Sequence, residues 1–376
     1  MEKYRSQIDA IDDQNAKLYV ERMELAKQIG IEKAKQNKAV DVPEREKAII
    51  NRLAGQVDED KKIYLKQLYN TVFSTSKAYQ SRFMRAESPL LTVIRNAAET
   101  CKDSPISATV ACQGVEGAYS NIATEKMFEL SDITFFKTFE GVFQAVDKNL
   151  CRYGVLPIEN STTGSILQVY DLMQKYKFFI MKSVRVQISH ALVAKPGTDL
   201  SKIKTVISHE QGILQCGTMI KECGFSTRVV ENTAVAARTV AEGEDDAVAA
   251  ICSAECASIY GLSVLRSNVQ DSGNNYTRFI CISKNLEIYN GANKISVMIN
   301  AAHTPGSLSR ILNRFAALGL NVTKIESRPI PNSEFEFVFY FDFEGNVFSK
   351  PVQNLIADLQ NGTERFVFLG NYKESL

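Results

Sequence analysis

Apolar side chains at the start of the chain, Tyr4, Ile8, Ile11, Leu18, Leu25 and Ile29, recur at spacings of three, four and seven, the rhythm of a long amphipathic helix. No proline interrupts it, and Gly30 weakens the pattern without ending it, because IEKAK carries it on. The polar stretch QNKAVDVP follows. Pro43 suits the first turn of a second helix, PEREKAIINRLA, which Gly55 closes. Asp58 is placed to cap a third helix running to about Phe83. At about 1.5 Å per residue the first helix is roughly 50 Å long. Three helices with one so long cannot bury their own seam, so a dimer of long helices is expected.

The rhythm changes over residues 105–285. Short β-rich runs alternate with helical ones: SATVACQG with AYSNIATEKMFEL, RYGVLPIEN with SILQVYDLMQKY, IKTVISHEQG with ILQCGTMIKECG, STRVVEN with TAVAARTVAEG, DAVAAICSA with ECASIYG, and finally TRFICIS. Such alternation predicts α/β units with parallel strands. The long strand-like run MKSVRVQISHALVAK in the middle suits a passage between two lobes with a cleft between them. From residue 294 the order is strand (KISVMINA), helix (PGSLSRILNRFAALG), strand (NVTKIESRPI), strand (EFEFVFYFDFEG), helix (KPVQNLIADLQ), strand (ERFVFLGNY). That βαββαβ order is the ferredoxin-like unit. The expected division is 1–85 all-helical, 86–105 linker, 106–285 two-lobed α/β and 293–376 ferredoxin-like.

A chain of 376 residues accords with several domains. Its 45% hydrophobic and 23% charged residues are ordinary for a globular protein. A net charge of +1 gives no global reason to expect nucleic acid or an anionic membrane as partner. No apolar run is long enough to span a bilayer, and the charged N-terminus lacks a signal-peptide core, so a cytoplasmic location is expected. Eight scattered Cys and three His include no CxxC pair; reduced thiols packed as small hydrophobes are expected, with no metal or cofactor.

Polar groups stand where apolar ones belong. Arg22 falls on the seam of the first helix between Leu18 and Leu25. Lys33, eleven residues on, shares its face about 16 Å away. A lone Arg there can snorkel to the rim or pair with another helix. The pattern repeats, however, with Ser76 and Gln80 at the end of the third helix's stripe, and Arg45 and Glu46 before Ile49 and Leu53. Together they suit an enclosed anion, and Arg forks fit carboxylates. In the α/β region three strand ends carry polar clusters: Gly114, Gly117, Tyr119 and Ser120; Glu159, Asn160 and Ser161 before Thr162 to Ser165; and Ser208, His209, Glu210 and Gln211 before Gln215. Each polar residue alone serves as a helix cap; three such ends in one α/β unit suit one anion-binding cleft.

These segments resemble known families. RSQIDAIDDQNAKLYVERMELAKQIGIEKAK, then PERE, then the Ser76–Gln80 pair, is similar to the all-helical chorismate mutases over residues 1–83. The resemblance implies that Arg22 and the partner's Arg5 clamp two carboxylates, and that Lys33 and Gln80 meet the ether oxygen. It further implies that Arg45 supports the clamp, Glu46 accepts the ring hydroxyl and Ser76 sits beside a carboxylate. Val42, with Asp41 before it, departs from the family's usual Asp three residues ahead of Arg45.

GVEGAYS, FEGVFQAVDKN, YGVLPIENSTTGSI, SHEQGILQC and NYTRF resemble the prephenate dehydratases, with Val115 and Glu210 where relatives commonly have Pro. This implies Thr277 near the leaving hydroxyl, with His209 ranked below it as acid. Glu159, Asn160, Ser161, Ser208 and Gln215 would position substrate, and Arg278 would pair with a substrate carboxylate or with Glu159. PGSLSRIL and ESRP resemble the ACT fold. They imply a phenylalanine site from Pro305, Gly306, Ser307 and Leu308 with Glu326, Ser327, Arg328 and Pro329, closed between paired domains; a turn forced by Pro329 and Pro331 is the simpler reading of the second motif.

The whole is similar to bifunctional chorismate mutase–prephenate dehydratases. That implies chorismate and prephenate as substrates, L-phenylalanine as effector and a homodimer or larger oligomer. Two rivals are a catalytically silent amino-acid-responsive protein and a monofunctional dehydratase with a decayed mutase. The polar seam speaks against the first, and only Val42 favours the second.

Overall fold

The computed structural model describes residues 1–36, 38, 40, 42–84, 88–100, 103–330 and 336–375; Asp41 and Pro331, both named above, lie outside them. The helical start forms as its periodicity predicts: α1 (Glu2–Lys35), α2 (Pro43–Ala54) and α3 (Lys62–Met84). Pro43 opens α2, but Asp58 makes no side-chain cap. A single 3-10 turn, Glu59–Lys61, intervenes and α3 begins at Lys62. Helices α1 and α3 meet at Gly30, where a Cβ would come 2.9 Å from the Gln80 carbonyl oxygen. The weak point in the apolar pattern is thus a point of close backbone approach. Gly30→Ala is expected to cost about 1–3 kcal/mol by overpacking, read as a lowered melting midpoint of helical ellipticity.

The stretch expected to be a linker is largely a helix, α4 (Pro89–Thr100). Its Ile94, Ala97 and Ala98 are buried with Phe315, Leu355 and Leu359 of the C-terminal unit. Apolar residues at three- and four-residue spacing make one sticky face, and that face finds the C-terminal helices.

The α/β region contains β1 (Ser107–Gln113), α5 (Tyr119–Met127), β2 (Leu130–Phe136), α6 (Phe139–Asp147), β3 (Tyr153–Asn160), β4 (Gly164–Ser165), α7 (Leu167–Tyr176) and β5 (Phe179–Gln187) in its first lobe. The second lobe contains β6 (Ala191–Ala194), β7 (Thr205–Ser208), α8 (Glu210–Gln215), α9 (Gly217–Cys223), β8 (Ser226–Val229), α10 (Thr233–Glu242), β9 (Val248–Cys252), α11 (Ala254–Ile259) and β10 (Ser263–Arg266). Strand β11 (Tyr276–Ser283) returns to the first lobe. The run expected to pass between lobes is split into β5 and β6 by residues 188–190. The two crossings lie side by side, Ile188 N donating to Asn275 O at 2.8 Å.

Both sheets are mixed rather than parallel. β1 pairs in parallel with β2 and β3, and β7 with β8 and β9. β11 runs antiparallel to β3 and β5, and β6 antiparallel to β9 and β10. The parallel part is what strand–helix alternation dictates; the antiparallel pairs arise where the chain crosses between lobes without a helix.

The C-terminal unit is β12 (Lys294–Asn300), α12 (Ser307–Ala317), β13 (Val322–Pro329), β14 (Phe337–Glu344), α13 (Lys350–Gly362) and β15 (Arg365–Ser375), in the expected βαββαβ order. Its sheet is not separate. β15 pairs in parallel with β5, Lys373 beside Lys182, giving one ten-stranded sheet ordered β13-β14-β12-β15-β5-β11-β3-β1-β2, with β4 beside β3. Gly370 (φ 151°) permits this join, since a Cβ there would lie 2.2 Å from the Ile180 oxygen. The N-terminal helices also rest on this unit: Arg82 of α3 pairs with Asp358 of α13 at 3.3 Å. No helix among the described residues is long and apolar enough to cross a membrane.

Candidate active sites and effector site

In the helical unit, Arg22 Nη1 donates to the Ser76 hydroxyl, with Val72 O at 3.5 Å. The Arg22 guanidinium lies 5.7 Å from the Phe73 ring centre. Ser76 and Gln80, one turn apart on α3, are both buried. Gln80 Oε1 is enclosed without a hydrogen-bond partner among the described residues. A buried amide oxygen left so costs about 1–3 kcal/mol, unless something else binds there. Lys33 Nζ donates to Val40 O at 2.8 Å, which holds the ammonium at the same end of the α1–α3 seam. Glu46 pairs with Lys77 of α3 at 3.0 Å, whereas Arg45 is exposed on α2. Arg5 is seventeen residues from Arg22 on one straight helix, about 26 Å away, so these two cannot serve one site within a chain. Residues 1–21 are all exposed, Tyr4, Ile8, Ile11 and Leu18 among them.

A cleft of about 310 Å³ lies between the two α/β lobes, lined among others by Asn160, Thr163, His209, Gln215 and Thr277. The starts of α5 (Tyr119, Ser120), α8 (Gln211, Gly212) and α10 (Thr233) converge on it; among the described residues no Lys or Arg lines it, and Glu231 is its one carboxylate. An anion here would meet helix N-termini and neutral donors rather than counter-charges. Asn160 organises the wall. Its Oδ1 accepts from the backbone N–H of Thr162 and Thr163, both at 2.9 Å. Its Nδ2 donates to Asn275 Oδ1 at 2.7 Å and to Thr277 Oγ1 at 2.9 Å. With its oxygen accepting from Asn160, the Thr277 hydroxyl hydrogen is left to point elsewhere. His209 Nδ1 accepts from Gln211 N at 3.2 Å and so caps α8 while lining the cleft.

Four expected substrate contacts are engaged away from the cleft. Ser208 is wholly buried and donates to Ile251 O at 2.6 Å. Ser161 donates to Asn274 O at 3.2 Å and accepts from Tyr276 N at 2.9 Å. Glu159 pairs with Lys324 of β13 at 3.0 Å. Arg278, 6% exposed, meets Asp342 at 2.6 Å, Glu374 at 3.1 Å and Glu159 only at 3.5 Å. Burial alone would depress the Arg278 guanidinium, yet Asp342, Tyr372 and Glu374 hold it well above its ordinary value. The physical reason is the sheet join: β11 lies two strands from β15 in the joined sheet, so that Glu374 of β15 and Asp342 of β14 both reach Arg278. Of the two pairings left open for Arg278, the one with Glu159 is present but is the longest of its three ion pairs; Arg278 ties the two units together.

Sequence reasoning passed over His190, Asn232 and Thr233, all of which line the cleft. Asn232 caps α10, accepting from Val235 N at 2.8 Å; a strand followed by Asn-Thr carried the same signal as the three ends singled out. His190 had no such signal, because it sits on the crossing between lobes. Its Nε2 lies 3.0 Å from Gln215 Oε1. Burial pulls its imidazole below its ordinary value, opposed by the hydrogen bond to Gln215 Oε1.

In the C-terminal unit a cavity of about 360 Å³ is lined by Pro305, Ser307 and Leu308 with Phe337 and Phe339. Gly306 takes the left-handed turn (φ 79°) that starts α12. The second motif does not reach this cavity within one chain: Ser327 and Pro329 are exposed, and Arg328 grips Asp171 of α7 through two bonds of 2.8 Å. Glu326 accepts from Ser165.

Comparison with known proteins matches all three units. The chorismate mutase type II family model matches residues 4–81, the prephenate dehydratase model 110–287 and the ACT domain model 295–347. The bifunctional chorismate mutase/prephenate dehydratase of Buchnera aphidicola is 30% identical, over 98% of this chain and 95% of its own. The chain belongs to the bifunctional chorismate mutase/prephenate dehydratase family. The prephenate dehydratase of Methanocaldococcus jannaschii is 38% identical over 68% of this chain and 95% of its own. A crystal structure of the Arthrobacter aurescens prephenate dehydratase in complex with L-Phe superposes with a TM-score of 0.65 at 28% identity, covering 70% of this chain and 89% of that one. The chain therefore carries a helical mutase domain, a two-lobed dehydratase domain and an ACT domain, and is an enzyme. In these terms the Arg22–Ser76–Gln80 cluster lies in the mutase domain, the cleft around Thr277 in the dehydratase domain, and the Pro305–Leu308 cavity in the ACT domain.

Proposed function

We propose that the chain rearranges chorismate to prephenate at the Arg22–Lys33–Gln80 cluster and converts prephenate to phenylpyruvate in the Thr277 cleft, with L-phenylalanine as feedback inhibitor through the ACT domain. The observation that carries the reading is the Thr277 hydroxyl, buried in the cleft wall with its oxygen accepting from Asn160.

The first reaction needs no nucleophile. It needs the substrate folded into its reactive shape and a donor at the ether oxygen as negative charge grows there. Arg22 clamps a carboxylate, and Lys33 and Gln80 supply the donors. Ser76 and Glu46 hold the remaining polar groups, with Arg45 behind them. The partner's Arg5 completes the clamp, which makes the protein at least a homodimer; the exposed apolar face of residues 4–18 is its seam.

In the second reaction the bond to the ring carboxylate breaks, releasing carbon dioxide, and its electron pair enters the ring. The ring carbon–hydroxyl bond breaks, and hydroxide leaves with one proton as water, giving an aromatic ring. Thr277 donates a hydrogen bond to the departing oxygen. Asn160, Gln215 and the helix starts hold the carboxylates, with His209 at the rim. Glu159, Ser161, Ser208 and Arg278 support this wall from behind. Phenylalanine binds against Pro305–Leu308, and residues 326–329 of a second ACT domain close the site. No step calls for a metal or cofactor, and the setting is the cytoplasm.

Purified protein given chorismate should release prephenate and then phenylpyruvate. Saturating phenylalanine should suppress phenylpyruvate formation about tenfold or more, a coupling of about 1–3 kcal/mol. Chorismate left unchanged, or a dehydratase rate indifferent to phenylalanine, would remove the corresponding part of the proposal.

A further inference from the structure

The structure assigns Lys324, an ACT-domain residue, as a positioning residue of the dehydratase site; the inference rests on the dehydratase reading above. Strand β3 turns back on itself through the exposed segment 161–164 into β4, and the two strands pair Glu159 with Ser165 and Asn160 with Gly164. The Lys324 ammonium donates to Glu159 Oε1 at 3.0 Å and to Ser165 Oγ at 2.6 Å. It therefore bonds both members of the pair at the mouth of the hairpin, one from each strand. Glu326, next on the same face of β13, accepts from Ser165 and lies 3.6 Å from Lys324. Arg328, next again, clasps Asp171 of α7.

Period-two geometry makes this a single docking edge: residues 324, 326 and 328 face the dehydratase lobe, while Ile325, Ser327 and Pro329 are exposed. Inside the hairpin so clamped are Asn160 and Thr163, which line the cleft, and Asn160 in turn holds Thr277. Glu159 has only one other cationic partner among the described residues, Arg278 at 3.5 Å, and Arg278 is occupied by Asp342 and Glu374. Without Lys324 the mouth of the hairpin keeps its backbone pairing but loses its side-chain tie across the strands, and Asn160 is less firmly aimed at Thr277. The ACT strand is thus part of the wall of the dehydratase site, and any shift of β13 is felt at Asn160.

The test uses the full-length chain with Lys324→Met, which keeps length and removes the charge, Lys324→Arg as the conservative replacement, and Ser165→Ala, which removes one of the two anchors. For Lys324→Met the dehydratase kcat should fall about tenfold, since misplacing a reacting group by about 1 Å costs up to about 10² in rate. KM for prephenate should stay within about twofold, mutase turnover should be unchanged, and backbone amide exchange over residues 160–165 should accelerate. Lys324→Arg should recover most of the rate, and Ser165→Ala should show a smaller loss of the same kind. A Lys324→Met protein with parental kcat and parental exchange at 160–165 overturns the assignment, as does one whose loss lies wholly in KM. If the parent protein itself makes no phenylpyruvate, the dehydratase reading fails; exchange at 160–165 in the variants then still decides whether Lys324 holds the hairpin.

Discussion

Lys33→Ala is expected to cut conversion of chorismate to prephenate by about 10²–10³, the usual loss when one donor to a developing oxyanion is removed, while dehydration of supplied prephenate proceeds at the parental rate. The side chain sits one turn beyond Gly30, where α1 and α3 touch, and its ammonium is held by Val40 O at 2.8 Å. That bond positions the ammonium at the α1–α3 seam, so an incoming ether oxygen meets a cation that need not first be ordered. The measurement is mutase kcat on chorismate beside far-UV ellipticity. A variant with parental helicity and a mutase rate within about threefold of the parent would take Lys33 out of the chemistry. The converse failure, lost helicity, would assign Lys33 to tying Val40 to α1.

Thr277→Ala is expected to lower phenylpyruvate formation by about 10²–10⁴, the range of a positioned proton donor, with mutase turnover untouched. Thr277 is central in its sheet, opposite Asn160 on β3 and Val186 on β5. Alanine keeps those backbone pairings, so the variant should fold, and what it loses is the hydroxyl. Thr277→Ser restores the oxygen for Asn160 Nδ2 and the hydrogen for the leaving group, and should recover most of the rate. Normal product formation by the alanine variant, or no rescue by serine, would show that another group carries the proton.

Much of both sites was legible in the residues themselves. A cation at Arg22 and amide at Gln80 on otherwise apolar stripes violate the cost of burying polar groups, and that violation is visible without coordinates. The strand–turn–helix junctions at Tyr119 and His209 were legible from the local pattern, which predicts a helix N-terminus, whereas Asn160 opens a hairpin into β4 rather than a helix. Ser208 and Ser161 bond backbone carbonyls, which the sequence does not reveal, because a hydroxyl beside a strand end looks the same whether it faces a cleft or a carbonyl such as Ile251 O. His190 was missed because its place depends on how two chain crossings, eighty-odd residues apart, lie against each other.

Periodicity along the chain was sufficient for α1, α2, α3 and the βαββαβ order, because the alternation of apolar and polar positions states which face of each element must be covered. It does not state what covers it. That β15 joins β5, that α3 and α4 rest on the last domain rather than the middle one, and that Arg278 meets Asp342 and Glu374 were settled only when the sheet closed. The same holds for the role of Glu326 and Arg328 in gripping the dehydratase lobe. A hydrophobic face accepts any apolar partner of the right shape, and a charge accepts any opposite charge within a few ångströms; both choices are made through space between residues far apart in the chain, where local pattern carries no information.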